Sequence, residues 1–430
     1  MLSIQWIREA PDEVRAMLER RGTTAPVDAV LERDAERRTI LTEVEQLKAD
    51  RNQAGKAIGK AKDQAERESL IGTQREVAGR IDALDERLRA VEAELHALVS
   101  QFPNRLHADT PTGSGEADNQ VVRSIGLPRA FDFEPKPHWE IGESLRILEI
   151  ERATAMAGSR MFALRGQGAR LQRALINHLL EQNEEAGYES WYLPNLVREE
   201  AMFASGQLPK FRDNLYRDAE EDYFLVPTAE VPLTSLHRDE ILDGAVLPLR
   251  YTAHTPCFRR EKMSAGRDVR GIKRVHQFEK VEIYQFTTPE GSASALEEMI
   301  AHAEGLLAGL GLTYRVLQLC SADIGFSAAL SFDLEVWAPG AAEWLEVSSI
   351  SNCLDFQARR ANIRYRPEEG KSTSFVHTLN GSSFGMTRVF AAILETYQRQ
   401  DGGVDIPDVL QHRMGRLMQI EAPTAAGTSA

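Results

Sequence analysis

Cysteine is scarce in this chain, long apolar runs are absent, and basic residues are outnumbered by acidic ones. The three cysteines, Cys257, Cys320 and Cys353, are an odd number without close spacing. That favours reduced thiols over a disulfide framework or a zinc site. No stretch reaches the about 18 consecutive apolar residues of a membrane span, and charges interrupt the first residues, unlike a signal peptide. We therefore expect a cytoplasmic protein without a membrane span.

The acidic excess excludes little by itself. Lys and Arg number 51 against 65 Asp and Glu, which gives a formal net charge of -14. Net charge averages over the whole surface, so a local basic patch can still bind a polyanion. With 430 residues, 42% of them hydrophobic and 27% charged, the composition is that of an ordinary globular protein of two or three domains.

The segment from Val27 to Leu98 has helix composition, being poor in proline and rich in Ala, Glu, Arg and Leu. Apolar residues recur there at alternating spacings of four and three, the pattern of a coiled-coil seam, with one interruption at Arg51. A polar break near 63–69 separates two such seams, so we predict an antiparallel helical hairpin. Helices of about 35 residues would project roughly 50 Å.

Basic residues without any acidic one lie between positions 51 and 62 of this hairpin: Arg51, Lys56, Lys60 and Lys62. By composition alone, a solvated helix face explains such a group as well as a binding site does. On a projecting arm the group would also suit an RNA phosphate backbone, with an affinity that falls as salt rises. The choice depends on whether the remainder of the chain handles RNA.

Residues 101–130 are rich in Pro, Gly, Ser and Asp, which predicts a linker or irregular connection. Beyond it, amphipathic helices alternate with strand-like runs such as "SFDLEVWAP" and "EWLEVSSIS". Several strands without intervening helices favour an antiparallel sheet, so we predict an α+β fold rather than a doubly wound one. Residues 421–430 have the composition of a disordered tail.

A cationic stretch occupies positions 257–286. If "TPCFRRE" and "RVHQFEKVEIYQF" are paired strands, Arg259 and Glu261 share one face, and alternation places a second set together: His276, Phe278, Lys280, Glu282 and Tyr284. The loop between the strands adds Arg267, Arg270 and Lys273. Arginine suits phosphate or carboxylate, an aromatic face stacks on a base, and glutamates hold an ammonium group. The set fits a nucleotide and an amino acid lying side by side.

Three further segments carry polar residues in unusual places. "TLNGSSFGMTR" predicts a Gly/Ser loop opening a helix, with Arg388 in the first turn, where anions are favoured. In "FLVPTAEVPL", Thr228 and Glu230 interrupt an apolar stretch and need a polar partner if they are buried. In "EWLEVSSIS", Glu346 and Ser349 offer oxygen ligands suited to Mg²⁺ beside phosphates. Strand alternation turns these two to opposite faces, so joint coordination would require a β-bulge.

In combination, these motifs resemble those of the bacterial-type seryl-tRNA synthetases, a family with the class II synthetase fold. "YLPNLV" is similar to the dimer-interface motif around Pro194, "FRRE" with "RVHQFEKVE" to the second class motif, and "NGSSFGMTR" to the third. "PTAEVPLT" and "EVSSISNCLDFQARR" are similar to the seryl branch in particular. The resemblance covers nearly the whole chain and implies an antiparallel-sheet catalytic domain preceded by a helical-hairpin arm.

The resemblance also implies roles for individual residues. L-Serine would be bound by Thr228, Ala229, Glu230, Arg259, Glu282, Asn380 and Ser382. ATP would be bound by Arg259, Arg260, Glu261, Val275, Phe278, Glu346, Val347, Ser348, Ser349 and Arg388, with Mg²⁺ on Glu346 and Ser349. Phe278 would stack on adenine, Arg259 would bridge the α-phosphate and the serine carboxylate, and Arg388 would hold the γ-phosphate. The catalytic residues would be Arg259, Glu261 and Arg388.

The implied function is ATP-dependent activation of L-serine to seryl-adenylate and transfer of serine to tRNA(Ser), and to tRNA(Sec) where it is present. A tRNA-binding domain would span 1–105, with the tRNA on Arg51, Lys56, Lys60 and Lys62. A linker would follow over 106–130, a catalytic domain over 131–420 and the tail over 421–430. A homodimer would form through the motif around Pro194.

Two segments depart from the family pattern: Lys262 with Met263, and residues 383–387. Phe384 and Met386 add bulk there, and we expect that bulk at the rim of the pocket. The departures leave open whether the chain is the housekeeping enzyme or a specialised second copy that resists an inhibitor. Two other interpretations also stay open, namely a paralogue that donates aminoacyl groups for biosynthesis and a non-catalytic RNA-binding homologue.

Overall fold

The computed structural model describes residues 1–262, 270–368 and 370–423. Met263, Arg267 and residues 424–430 of the predicted tail lie outside these ranges. The chain divides into two compact units, Met1–Pro103 and Asn104–Ala430. Within the described ranges, no helix combines the length and the apolar character that a membrane crossing needs.

The described residues of the first unit form helices: α1 (Ile4–Glu9), α2 (Pro11–Arg20), α3 (Val27–Lys60) and α4 (Gln64–Val99). The two long helices pack against each other and bury Ile40, Val44 and Val91, with Leu84 and Leu88 alongside. Ion pairs that join the two helices flank this seam, for example between Arg37 Nε and Glu92 Oε1 (2.9 Å). The predicted antiparallel hairpin is confirmed, and heptad positions form its core.

The break between the long helices is shorter than predicted. Residues 64–69 were expected within the break, but α4 begins at Gln64. The carboxylate of Asp63 accepts a hydrogen bond from the backbone N–H of Glu66 (3.2 Å) and caps the helix, which explains the early start. Of the basic residues near this tip, three are exposed and one is partly exposed: Lys56, Lys60 and Lys62, and Arg51.

The second unit combines helices with long and short strands. Its helices are α5 (His138–Ser144), α6 (Ile150–Ala157), α7 (Gln167–Glu185), α8 (Glu199–Ser205), α9 (Glu230–Ser235), α10 (Ser292–Gly309), α11 (Phe356–Ala361), α12 (Met386–Thr396) and α13 (Asp408–Gln411), with 3-10 turns at Glu116–Asp118, Arg212–Asn214 and Gly244–Val246. Its strands are β1 (Gln120–Ile125), β2 (Leu148–Glu149), β3 (Ala163–Leu164), β4 (Glu189–Trp191), β5 (Leu196–Val197), β6 (Phe224–Leu225), β7 (Ile241–Asp243), β8 (Leu249–Phe258), β9 (Gln277–Thr287), β10 (Tyr314–Gln318), β11 (Leu330–Ala338), β12 (Glu343–Leu354), β13 (Arg364–Arg366), β14 (Ser374–Phe375), β15 (His377–Gly385), β16 (Val404–Asp405) and β17 (Gln419–Ile420).

An eight-stranded sheet organises this unit, in the order β1-β10-β11-β12-β15-β9-β8-β4. Its neighbours pair antiparallel, except that β4 and β8 are parallel. Helices α7, α10 and α12 pack on it. Val281 and Ile283 of β9 belong to the core beneath these helices, whereas Tyr284 and Phe286 belong to a second apolar cluster with Ala229 of the loop before α9. The predicted α+β class with a mainly antiparallel sheet is confirmed.

Local structure differs from the sequence predictions in three places. Residues 120–125, predicted as irregular, form β1 at the sheet edge, where five of the six residues are exposed and no alternation in burial marks the strand. Strand β8 ends at Phe258, so "RRE" lies beyond it, and Glu261 turns the chain with φ of 51°. The expected Gly/Ser loop at 380–385 is part of β15, which pairs with both β12 and β9.

Candidate active site

A cavity of about 340 Å³ lies where β8, β9, β12 and β15 meet the start of α12. Its lining includes many of the residues that the sequence motifs marked: Glu230, Arg259, Glu261, Val275, Phe278, Glu346, Val347, Ser349, Asn380, Ser382 and Arg388. They come from segments far apart in the chain. The sheet topology therefore brings the motifs to a single site.

Buried polar groups lie at one end of the cavity: Glu230 belongs to its lining, whereas Thr228 and Glu282 do not and instead contact the lining residue Lys280. Thr228 Oγ1 donates a hydrogen bond to Glu282 Oε2 (2.8 Å), while Glu230 Oε1 accepts from Gln357 Nε2 (2.6 Å) and Asn380 Nδ2 (3.2 Å). Glu282 Oε1 is buried and has no hydrogen-bond partner among the described residues. Thr228 and Glu230 are both buried and both have polar partners, as buried polar groups require, and the partnerless oxygen of Glu282 marks a place for a hydrogen-bond donor.

The charge of Glu282 acts on Glu230. Burial and then the charge of Glu282 raise the pKa of Glu230, while Lys280, Gln357 and Arg259 act in the opposite direction, and the net value is about 7. Two carboxylates close together in a buried place favour a cation between them, because a positive charge relieves their repulsion. The arrangement suits the ammonium group of a small ligand.

The middle of the cavity holds an arginine above an aromatic ring. Arg259 follows directly after β8, its guanidinium carbon lies 5.1 Å from the ring centroid of Phe278, and its Nε donates to the carbonyl of Pro227 (3.2 Å). Its backbone N–H donates to the carbonyl of His276 (2.9 Å), which continues the hairpin beyond the strand. The guanidinium is thus held in place beside a ring that can stack on a planar ligand.

The far end of the cavity is built around the start of α12. Arg388 is in the first turn of this helix, as predicted. Its Nη1 donates to the carbonyl of Glu346 (2.8 Å) and its Nε to the carbonyl of Lys273 (3.2 Å), and Nη1 also lies 3.3 Å from Glu346 Oε2. A fixed guanidinium beside a helix N-terminus favours an anion such as phosphate.

A bulge in β12 puts Glu346 and Ser349 on the same side. Leu334 pairs with Ser348 and Glu335 with Glu346, so Val347 is an extra residue in the ladder. The two side chains therefore line the cavity together, which strict alternation would forbid. The bulge that the sequence required for joint coordination is confirmed.

Known proteins are similar to this chain over nearly its whole length. Family models match at residues 1–106, for the seryl-tRNA synthetase N-terminal domain, and at 210–397, for the tRNA synthetase class II core domain (G, H, P, S and T). The chain is 56% identical to a serine–tRNA ligase from Roseiflexus sp. (strain RS-1), over 97% of this chain and 99% of that protein. The chain belongs to the seryl-tRNA synthetase family.

Solved structures of this family agree with the fold. A seryl-tRNA synthetase from Pyrococcus horikoshii complexed with ATP is 36% identical, with a TM-score of 0.92 over 99% of this chain and 100% of that one. A cytoplasmic serine–tRNA ligase from Naegleria fowleri in complex with AMP is 31% identical, with a TM-score of 0.87 over 99% of each chain. The resemblance that the motifs indicated is confirmed.

Family membership implies a magnesium ion, and the oxygen ligands present fit one. Glu346 and Ser349 share the cavity, and Asp333, opposite Ser349 on β11, has a buried Oδ1 without a partner among the described residues. Within the part of the chain that the structure describes, no cluster of three or more His, Cys, Asp or Glu side chains could hold a metal ion by itself. The ion would therefore need oxygens from a phosphate ligand as well, as Mg²⁺ commonly does.

Some residues assigned by the seryl-tRNA synthetase pattern stand behind the cavity rather than in its lining. Ala229 is fully buried in the second apolar cluster and is not part of the cavity lining. Ser348 is buried and donates its hydroxyl to the carbonyl of Ser382 (2.6 Å), which positions that strand. Arg260 points elsewhere, with its guanidinium carbon 5.9 Å from the ring centroid of Tyr216.

Phe384 and Met386 do not lie at the rim, so that prediction is wrong. Both have no exposed surface and belong to the main core. Between them Gly385 faces the cavity, and Ser383, also fully buried, donates to Asn183 Oδ1 (3.0 Å). The bulky residues of this seryl-tRNA synthetase segment therefore fill the core beneath the site.

Three basic residues of the cavity lining were not assigned any ligand contact from the sequence: Lys273, Arg274 and Lys280. Lys280 alternates with Phe278 and Glu282 on β9, so the strand pattern contained the signal for it. Gln207, Phe211 and residues 325–328 also line the cavity, and none of them was assigned a ligand contact.

Proposed function

We propose that the chain is a serine–tRNA ligase, which activates L-serine with ATP to seryl-adenylate and transfers serine to tRNA(Ser), and to tRNA(Sec) where it is present. The observation that carries the proposal is a cavity with a buried acidic and hydroxyl cluster at one end and an arginine-lined, aromatic end for a nucleotide. The ATP and AMP in the related structures support the nucleotide half.

Serine activation follows from the order of the contacts. Glu230 and Glu282 bind the ammonium group, and Thr228 with Ser382 supplies polar contacts for the hydroxyl. Arg259 then holds the serine carboxylate against the α-phosphate, with adenine on Phe278. A carboxylate oxygen attacks the α-phosphorus in line, the bond from that phosphorus to the β-phosphate oxygen breaks, and pyrophosphate leaves. The reaction depends on positioning and charge neutralisation rather than on a general base.

The phosphate end has the groups to neutralise a triphosphate. Arg388 binds the γ-phosphate, and Arg259 and Glu261 hold the part of the nucleotide next to the ring, while Glu346 and Ser349 would hold Mg²⁺. Bound Mg²⁺ would neutralise charge on the phosphate oxygens and on the leaving pyrophosphate. In the second step the terminal hydroxyl of the tRNA attacks the serine carbonyl, and AMP leaves.

The arm and the exposed apolar residues suggest the macromolecular partners. Lys56, Lys60 and Lys62 are exposed near the tip of the helical hairpin, where tRNA phosphates would contact them. A homodimer would cover Tyr192, which is 98% exposed two residues before Pro194. The buried cysteines carry free thiols, which supports a reducing compartment such as the cytoplasm.

Amino-acid-dependent exchange of pyrophosphate into ATP, measured across the twenty amino acids, tests the proposal. Serine should support exchange, and alanine should be rejected by as much as about 10⁴-fold, because the buried polar groups would lose their partner. The variant Arg259→Ala should abolish exchange with an unchanged melting temperature. Alanine activated as well as serine, or an inactive protein, would contradict the proposal and favour the non-catalytic or biosynthetic alternatives.

The proposed transfer of serine to tRNA needs a separate measurement. Replacing Lys56, Lys60 and Lys62 together by glutamine should spare exchange, weaken tRNA(Ser) charging and reduce the salt dependence of binding by about one per lost phosphate contact. Changing Arg67, Arg75 and Arg80 of α4 to glutamine gives a control with the same loss of charge. Equal charging by the wild type and the lysine variant would show that tRNA is held elsewhere.

A further inference from the structure

Lys280 has no role in the function proposed above, although it lies at the centre of the cavity. It is on β9 between Phe278 and Glu282, and alternate residues of a strand share a face at a spacing of about 7 Å. Its backbone is therefore midway between the adenine and serine contacts. The side chain is 12% exposed, so its charge is held inside the site rather than in solvent.

The ammonium of Lys280 lies at the serine end of the cavity. It donates to Thr228 Oγ1 (3.0 Å) and forms an ion pair with Glu282 Oε2. Both residues belong to the proposed serine site, so an ammonium group already occupies the acidic end before a substrate arrives. Two ammonium groups beside one buried carboxylate would repel each other strongly. The ammonium of serine therefore has to compete with Lys280 for the carboxylate of Glu282.

We propose that Lys280 is a mobile positioning residue for serine activation. It neutralises Glu282 in the empty site, is displaced by the ammonium of serine, and then turns toward the serine carboxylate and the α-phosphate. The inference rests on the proposed function. The flexible four-carbon stem of lysine permits this movement, and the cation then adds to Arg259 where negative charge develops in the transition state.

The charges around Glu230 add a pH dependence to this proposal. The titratable groups that act on Glu230 or respond to it are Glu282, Lys280, Arg259, Cys353 and Tyr284. Burial and Glu282 raise the pKa of Glu230 to about 7, and Lys280 acts against that increase. Without the Lys280 charge, Glu230 should stay protonated to higher pH, and a neutral carboxyl holds an ammonium group less well.

Steady-state exchange kinetics with Lys280→Met test the proposal, with Lys280→Arg as the matched variant that keeps the charge. From about pH 6 to pH 9, Lys280→Met should lower kcat about 100-fold. The rise of kcat/KM for serine with pH should move to higher pH, and the melting temperature should fall, because the buried carboxylate of Glu282 loses its charged partner. Lys280→Arg should recover part of kcat and restore the pH profile. If the methionine variant fails to fold, Lys280→Gln replaces it with the same expectations.

Two results would overturn the inference in distinguishable ways. If the wild type performs serine-dependent exchange and the folded Lys280 variants keep kcat within about twofold with an unmoved pH profile, Lys280 has no positioning role. A variant whose only change is a lower melting temperature leads to the same conclusion. If the wild type itself performs no serine-dependent exchange, the proposed function fails, and the role of Lys280 fails with it.

Discussion

The variant Glu230→Gln should stabilise the ligand-free protein above neutral pH while abolishing serine activation. Glu230 is 8% exposed, and its pKa is raised from 4.5 to about 7, chiefly by burial and then by the charge of Glu282. The folded protein thus holds this proton more tightly than the unfolded chain does. The resulting stabilisation is fully present below about pH 4.5 and is lost as the pH rises through about 7.

The size of the effect follows from the same values. A tenfold change in proton affinity is worth about 1.4 kcal/mol. An increase in the pKa of Glu230 from 4.5 to about 7 therefore lowers the free energy of unfolding by about 3 kcal/mol at pH 8. Glutamine has the shape of the protonated carboxyl, and its amide oxygen can still accept from Gln357 Nε2 and Asn380 Nδ2. In a unit of this size, about 3 kcal/mol raises the melting temperature by about 4 °C.

Scanning calorimetry of the ligand-free proteins at about pH 5 and pH 8 checks the prediction. The variant should melt about 4 °C above the wild type at the higher pH and close to it at the lower pH. Glu200→Gln, which replaces an exposed carboxylate on α8, is the control and should show no pH-dependent difference. A Glu230→Gln protein that melts at or below the wild-type temperature at pH 8 would refute the account of Glu230 as a destabilising buried charge.

Three further substitutions, at two positions, separate the core from the ligand site. Phe384→Ala should lower the free energy of unfolding by about 3 to 5 kcal/mol in urea titrations, because the ring is fully buried. The milder Phe384→Leu should leave inhibition by compact and bulky seryl-adenylate analogues within about twofold of the wild type, unlike a residue at the rim. Phe278→Leu should raise KM for ATP about tenfold with a smaller change for serine, because it removes the aromatic face beside Arg259. Equal changes in both KM values would contradict that role.

The patterns that predicted the fold well were those with a strong physical period. The heptad spacing identified the packed faces of α3 and α4, and alternation identified the long strands of the sheet. The candidate site residues were chosen on chemical grounds, because phosphate, carboxylate and ammonium groups restrict which side chains can bind them. The resemblance to the seryl-tRNA synthetases then assigned Arg259, Glu282 and Arg388 to one site, and the cavity lining includes Arg259 and Arg388.

The errors arose where backbone geometry overrides side-chain pattern. Strand β1 has hardly any buried face, so its sequence resembles that of a loop. The glycine and serine residues of β15 look like a turn but pair on both sides within the sheet. Phe384 follows a shift in register near Ser383, so counting along the strand from Ser382 does not give the direction of its side chain. Such irregularities leave no periodic trace in a sequence.

The extra residue at Val347 also constrains how this site can change over evolution. Glu346 faces the cavity before the bulge, and Ser349 and Ser351 face it after the bulge. A substitution can alter any one of these side chains, but it cannot remove the bulge and restore one uninterrupted alternation of side chains along β12. Only an insertion or deletion could do that, and it would turn every contact on one side of the bulge into the core at once. Substitutions can therefore change the side chains of β12 in descendants of this protein, while the bulge at Val347 is inherited unchanged.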